Sequence, residues 1–377
     1  MARKIARTAA GAAGVATLAA TVVAGTALAG TGLAGTGVAQ ASSATSASWH
    51  IVKQVHSGAA GDFTAVVATG KSSGWAFNGN TLAAPAAKPT AWKRNGSTWT
   101  RVSFPGEQGE EVVEARATSP SDVWAFTEVG PGSRVLRWNG HTWSVAKDFA
   151  FPIGGASVVG RKDVWVFGQP GINEQLGVWH YNGRRWSHLS TSLDGGSALS
   201  ATSAWAFRGT AVYHYNGRTW AKTSVAKLLP KRLSNDLNDP IVTGIYAQSA
   251  KSVYAVGNGQ AEDEGGPTVI LHYNGSRWSK VAQGNFGYGT QPSQQIGPDG
   301  SGGLWLPMPG FGGFKSYVLH YSAGTLTEPA LPHGAEGIDV ESIANVPGTT
   351  EMLAGGFTHA TNNPGAKVVA VILQYGS

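Results

Sequence analysis

Hydrophobic and polar positions alternate along most of this chain in short runs, each bounded by Gly, Asn, Ser or Pro. In "RVLRWNG", Leu136 and Trp138 fall on one side of an extended strand and Val135 and Arg137 on the other. Nearly the same phrase recurs as "VLRWNGHTWSV", "VWHYNGRRWSH", "VYHYNGRTWAK" and "LHYNGSRWSKV". Aligning on Asn-Gly with an aromatic four residues after the Asn gives Asn95/Trp99, Asn139/Trp143, Asn182/Trp186, Asn216/Trp220 and Asn274/Trp278. A degenerate copy has Ser322 and Leu326 in those places. Asn-Gly adopts the positive φ angles of a two-residue I′ turn, so each copy predicts a β-hairpin.

A second phrase precedes each hairpin: "SSGWAF" (Trp75), "SDVWAF" (Trp124), "KDVWVF" (Trp165), "TSAWAF" (Trp205), "KSVYAV" (Tyr254), "GGLWLP" (Trp305) and, weakly, "TEMLAG" (Met352). These anchors are 40 to 51 residues apart. Turn residues such as "SPSD" and a further short strand such as "VVEARAT" come before them. Each unit therefore reads as four antiparallel strands, a to d; in the second unit they lie near 112–118, 122–128, 134–138 and 142–147. A lone sheet cannot bury both faces. Repetition at this length predicts an all-β, seven-bladed β-propeller of four-stranded antiparallel blades. A β-solenoid is the competitor, but its coils are usually shorter and lack the hairpin.

The last unit ends "VVAVILQYGS" without a strand d, and "SWHIVKQV" from Trp49 to Val55 reads as a strand d without its a, b and c. Pairing them predicts a closed ring with no free sheet edge at the join. The propeller is expected over 49–377. Trp49, Trp99, Trp143, Trp186, Trp220 and Trp278 take position d, Trp75, Trp124, Trp165, Trp205 and Trp305 position b, and Trp92, Trp138 and Trp179 strand c. That accounts for all 14 tryptophans, so the recurring phrase is a building block and not a repeated binding motif.

Composition adds limits. Residues 1–41 begin with Arg3, Lys4 and Arg7 and continue in an uncharged Ala/Val/Leu/Gly/Thr run, the pattern of a signal peptide with cleavage near 29 or 41. Gly and Thr dilute the run and no basic flank follows it, which disfavours a membrane anchor. A secreted, extracellular protein with no membrane span in its mature chain is expected. Without the three leading cations, 28 basic residues fall to 25 against 22 acidic, an excess of +3. So weak a balance argues against a nucleic-acid partner. The absence of cysteine excludes disulfides, thiolate zinc sites and a cysteine nucleophile.

The pattern "SxxDVWAFG" followed by "VLHYNGxxWSxV" resembles secreted bacterial propellers of the kelch-like and galactose-oxidase-central-domain type, from Trp49 to Ser377. Gly355-Gly356 fits the kelch double glycine, while other units show a single Gly such as Gly168 or Gly257. The copper cofactor of galactose oxidases is excluded here, because that site cross-links a tyrosine to a cysteine. The hairpin box of sialidases is absent too: its Asp place holds Arg94, Trp138, Tyr181, Tyr215 and Tyr273.

Candidate chemistry is sparse. His180, His214, His272 and His320 share one repeat position, which spreads them around the ring, too far apart for one metal. The acidic groups Glu107/Glu110/Glu111 and Glu262/Asp263/Glu264 lie in Gly/Pro-rich stretches. The second is a weak candidate for calcium through carboxylate oxygens, with no other cofactor expected. No G-x-S-x-G elbow or phosphate loop occurs. The a–b and c–d turns are short and share one face of a propeller; the b–c and d–a connections are long and share the other. Binding usually resides on such loops. A ligand site is therefore expected on the long-loop face around the channel mouth, with Phe286, Tyr288, Phe311, Phe314 and Arg232 as its candidate residues. The expected function is non-catalytic binding or scaffolding by a monomer, with a glycan or protein as ligand. The competing expectation is a carbohydrate-active enzyme, a glycoside hydrolase or lyase.

Overall fold

The computed structural model describes residues 47–56, 61–79, 87–168, 177–190, 193–231, 239–259, 267–286, 295–308, 316–332, 337–359 and 369–376. Residues 47–377 form one compact unit of seven four-stranded antiparallel sheets. Six sheets are consecutive in sequence. Blade 2 is typical: a is Glu111–Ser119, b Asp122–Val129, c Gly132–Trp138 and d Trp143–Phe149. In the seventh, strand d is Ser48–Val55, which pairs antiparallel with strand c, Val369–Gly376, in the register Trp49↔Tyr375 and His50↔Gln374. The expected closure is therefore present. No helix among the described residues is long and apolar enough to cross a membrane.

The core is not one centre but seven layers, each between neighbouring blades. The b-strand aromatic of one blade packs on the c-strand aromatic of the next: Trp75 on Trp138 (centroids 4.9 Å), Trp124 on Tyr181 (6.0 Å), Trp165 on Tyr215 (5.6 Å), Trp205 on Tyr273 (5.0 Å), Tyr254 on Tyr321 (5.8 Å) and Trp305 on Tyr375 (4.7 Å). Trp75, Trp124, Trp165 and Trp305 are buried completely. The wedge shape of a blade explains the choice: strands diverge outward, and only indole and phenol rings fill the widening gap. The interface from blade 7 to blade 1 departs from the rule. The strand register places Leu353, not Met352, opposite Gln374 and hence at the tryptophan position. Its expected ring partner is replaced by Arg94, whose guanidinium donates to Gln374 Oε1 at 3.0 Å.

The four histidines are structural. Each stacks on the b-strand aromatic of its own blade: His180 on Trp165, His214 on Trp205, His272 on Tyr254 and His320 on Trp305, at 4.2 to 4.6 Å. Lys93 and Arg137 lie over Trp75 and Trp124 in the same places. Turn residues hold three of these rings, Asp163 (2.8 Å), Ser252 (3.0 Å) and Asp299 (3.0 Å).

The Asn-Gly turns differ from expectation. In blades 2 to 5 the last paired residues are aromatic, as in Trp138↔Trp143, leaving a loop 139–142. Only its glycine has positive φ, 101° for Gly140. Asn139 Oδ1 accepts the N–H groups of His141 and Thr142, both at 2.9 Å, and Asn182, Asn216 and Asn274 do the same in their loops. Asparagine is there as a side-chain cap of the loop. Positive φ at both central residues, as an I′ turn needs, occurs in the degenerate copy, at Ala323 (49°) and Gly324 (83°).

Each inner strand a presents its free edge to the central channel, so its backbone donors need partners. Neighbouring blades supply them. Val66 N–H donates to Ser342 Oγ (3.0 Å), Ala156 N–H to Glu114 Oε2 (2.7 Å), Ala198 N–H to Ser157 Oγ (3.0 Å) and Ala247 N–H to Ser197 Oγ (3.0 Å).

Candidate functional site

The inner strands enter the channel from the long-loop face, and most of them are irregular just inside it. The pairing of a with b skips one residue at Thr64, Val113, Gly154, Thr243 and Glu341, in blades 1, 2, 3, 5 and 7. Such bulges re-aim side chains and free backbone groups. The carbonyl of Val113 accepts a hydrogen bond from Gln295 Nε2 at 2.5 Å. This bond spans from blade 6 to blade 2 across the mouth of the channel.

Below it lies a cavity of about 230 Å³ whose walls are the inner strands of blades 2 to 6. Its polar groups are Glu114, Arg116, Ser157, Ser197 and Tyr246. Glu114 and Arg116 form an ion pair at 2.6 Å. Burial pushes the Glu114 carboxyl above its ordinary value, opposed by the Arg116 guanidinium and the Ala156 N–H. Arg116 is the more open partner, with 32% of its side chain exposed. From blade 5, Tyr246 feels the same cation: burial raises its phenol, Arg116 opposes the rise and Asp299 adds to it. A cavity of this size is smaller than the ~300–1,000 Å³ of usual small-molecule sites. It accommodates one side chain or one ring-sized polar group. Paired charges, hydroxyls and a phenol offer it both donors and acceptors.

The rim is acidic at blades 1 and 2. Asp62 and Glu111 begin adjacent inner strands, and Glu128 pairs with Glu111 in the register of blade 2. Burial first, and the Glu111 carboxylate second, push Asp62 up to about 7. The same two causes raise Glu128. Glu110 is fully buried and well satisfied: Arg134 Nη1 at 2.9 Å, Thr127 Oγ1 at 2.5 Å and the Glu107 N–H at 2.6 Å all donate to it. The expected Glu107/Glu110/Glu111 group is thus split: Glu110, with Glu107, grips Arg134, and Glu111 faces Asp62 and Glu128.

Of the residues expected at the mouth, Phe286 is half-buried in the hydrophobic layer between blades 5 and 6, beside Ile296, Leu306 and Met308. Tyr288, Phe311, Phe314, Arg232, Glu262, Asp263 and Glu264 lie outside the described residues. Among the described residues, no group of three or more His, Asp or Glu side chains is placed to hold a metal. Glu114 and Arg116 were missed by motif reading. Their signal was present: strand a elsewhere holds Ala65, Gly155, Gly195, Gly244 and Ser342 at the first place, and Val67, Ser157, Ser197, Tyr246, Gly297 and Ala344 at the second. A charge pair in those places breaks the repeat.

No protein-family model matches the chain, and no curated protein does. Solved structures do. The chain is similar to YCF48 bound to D1 peptide, with a TM-score of 0.53 at 11% identity, covering 87% of this chain and 97% of that one. It is similar to the extracellular domain of the putative hybrid two component system BT4673 from B. thetaiotaomicron, with a TM-score of 0.54 at 10% identity over 86% of this chain and 39% of that one. The GH74 enzyme of Niastella koreensis matches with a TM-score of 0.53 at 13% identity, over 82% of this chain and 54% of that one. At such identities the likeness is one of fold, shared by binding proteins and enzymes alike.

Proposed function

We propose that this is an exported, monomeric propeller of kelch-like type, freed of residues 1–41, that binds or scaffolds a glycan or protein partner without catalysis. The partner sits on the long-loop face and inserts one side chain or sugar ring into the channel mouth, where Glu114, Arg116 and Tyr246 receive it. One observation carries this reading: the channel holds a Glu–Arg pair in inner-strand positions where the other described blades carry no charge. Glu114 accepts the Ala156 N–H, a duty that serines perform in other blades, and Arg116, with 32% of its side chain exposed, is the charge that stays open to a partner. Calcium binding at Glu262, Asp263 and Glu264 is part of the same proposal.

The test is a glycan and protein-partner array probed with the parent and with a Glu114→Gln/Arg116→Gln double variant, with and without calcium. Replacing both partners together leaves no buried charge alone. Loss of the array signal with an unchanged melting temperature supports the channel. A double variant that captures every parental hit would place recognition elsewhere.

A second reading, a glycoside hydrolase or lyase, is favoured by one feature: Asp62, pushed up to about 7 beside Glu111, offers an acid next to a base. Release of reducing ends from a polysaccharide panel by the parent, lost in Asp62→Asn, would select it.

A further inference from the structure

An acidic and a basic cluster lie on opposite faces of the propeller. On the long-loop face Asp62, Glu107, Glu110, Glu111 and Glu128 gather at blades 1 and 2. On the opposite face, the a–b turns of blades 3 and 5 expose Arg161, Lys162 and Lys251. The c–d turns of blades 3, 4 and 5 expose Arg184, Arg185, Arg218 and Arg277. The one turn carboxylate of these three blades, Asp163, is engaged inward by Trp165 Nε1 (2.9 Å) and His180 Nε2 (2.8 Å). Arg161 lies 3.9 Å from the buried Asp122, which Arg137 already holds at 2.8 Å. The other six cations have no carboxylate partner among the described residues. Three consecutive blades thus display a cationic arc on a molecule whose excess charge after leader removal is only +3.

We propose that this short-turn face docks on an anionic lipid bilayer. Two observations select a membrane over a polymeric anion. The cations ride on turn tips that all end on one face of the ring, an array suited to a surface and not to a strand. The aromatics beside them are not available for stacking on bases: Trp186, Trp220 and Trp278 are half-buried against Tyr181, Tyr215 and Tyr273. Basic residues near an anionic leaflet each add to attraction within about a Debye length.

The experiment is flotation of the full chain with vesicles of phosphatidylcholine alone or with 30% phosphatidylglycerol. Neutral vesicles report binding that does not depend on lipid charge. Binding to anionic vesicles should exceed binding to neutral ones and weaken with salt. Arg184→Gln/Arg185→Gln/Arg218→Gln/Arg277→Gln should lower the anionic partition coefficient about 10²–10³-fold, at about fivefold per cation, and leave the neutral one unchanged. Arg101→Gln/Lys222→Gln, on outer strands, should change neither. Equal binding to both vesicles, or a quadruple variant that binds as the parent does, overturns the proposal. Capture by heparin or DNA columns without vesicle binding also overturns it, in favour of a polymeric anion. Unchanged melting temperatures in both variants show that the fold is intact.

Discussion

Replacing Trp49 by alanine tests whether the amino-terminal strand clasps the ring. Trp49 is 4% exposed and sits edge-on to Trp305 (5.4 Å, 83°) while tilting over Tyr375 (5.4 Å). Truncating a buried aromatic of this size costs about 3–5 kcal/mol, and its two ring contacts belong to that figure. For a unit spanning residues 47–377, at about 2.1 cal/mol/K per residue, each kcal/mol moves the midpoint by about 1.4 °C, so a fall of about 4–7 °C is expected. A control separates closure from simple cavity formation. Trp143 occupies the same position d in blade 2, is also buried, and packs on Trp75, Phe77 and Phe104. Its blade is covalently continuous, whereas the strand bearing Trp49 is tied to Val369–Gly376 by pairing and packing alone. Both variants should melt early, but only Trp49→Ala should lose amide-exchange protection selectively at Val371 and Leu373 before global unfolding. If Trp49→Ala melts within 2 °C of the parent, or if the two variants lose protection in the same strands, the closure argument is wrong.

Asp62, raised by burial to about 7, keeps its proton in the folded protein at pH values where the unfolded chain releases it. Its favourable contribution is complete below the ordinary value of 3.8 and drains away as pH rises to about 7, by at most about 4 kcal/mol. Asp62→Asn should therefore melt above the parent at pH 8 and together with it near pH 4; a constant difference across that range would refute the burial. Removing Glu114 alone strands Arg116 and the Ala156 N–H, so Glu114→Ala should cost about 3–5 kcal/mol in urea denaturation while Glu114→Gln costs much less. A Cβ at Gly356 would collide with the Asp339 carbonyl of the paired strand, so Gly356→Ala should lower the melting temperature by several degrees, and an unchanged value would show that blade 7 yields there. The same crowding, at Gly355 against the Phe63 carbonyl and Val66, gives the double glycine a packing reason independent of any kelch signature.

The architecture was legible in the chain because a propeller is nearly one-dimensional: each blade packs its faces on its two neighbours, so its requirements repeat in the sequence. The alternation of Leu136 and Trp138 with Val135 and Arg137, the tryptophan anchors and the unmatched Trp49–Val55 segment were enough to specify four strands, seven sheets and their closure. Local chemistry was less well read. Asn139 and its counterparts were assigned to I′ turns, but a side-chain oxygen reaching two backbone donors stabilises a longer loop equally well. Met352 stood for Leu353 because a weak repeat copy carries no indole to set its register.

The candidate site was decided by tertiary structure. Glu114 and Tyr246 are far apart in sequence, and nothing local in either tells that blades 2 and 5 face one another across a channel. The bulges at Val113 and Thr243 arise where strands curve into that channel, a constraint set by ring closure and not by residue type. Likewise, a net charge near balance conceals how cations and carboxylates part between two faces. Periodicity records what every blade must do, while the chemistry lies where single residues break that period, and only the closed ring brings those exceptions together.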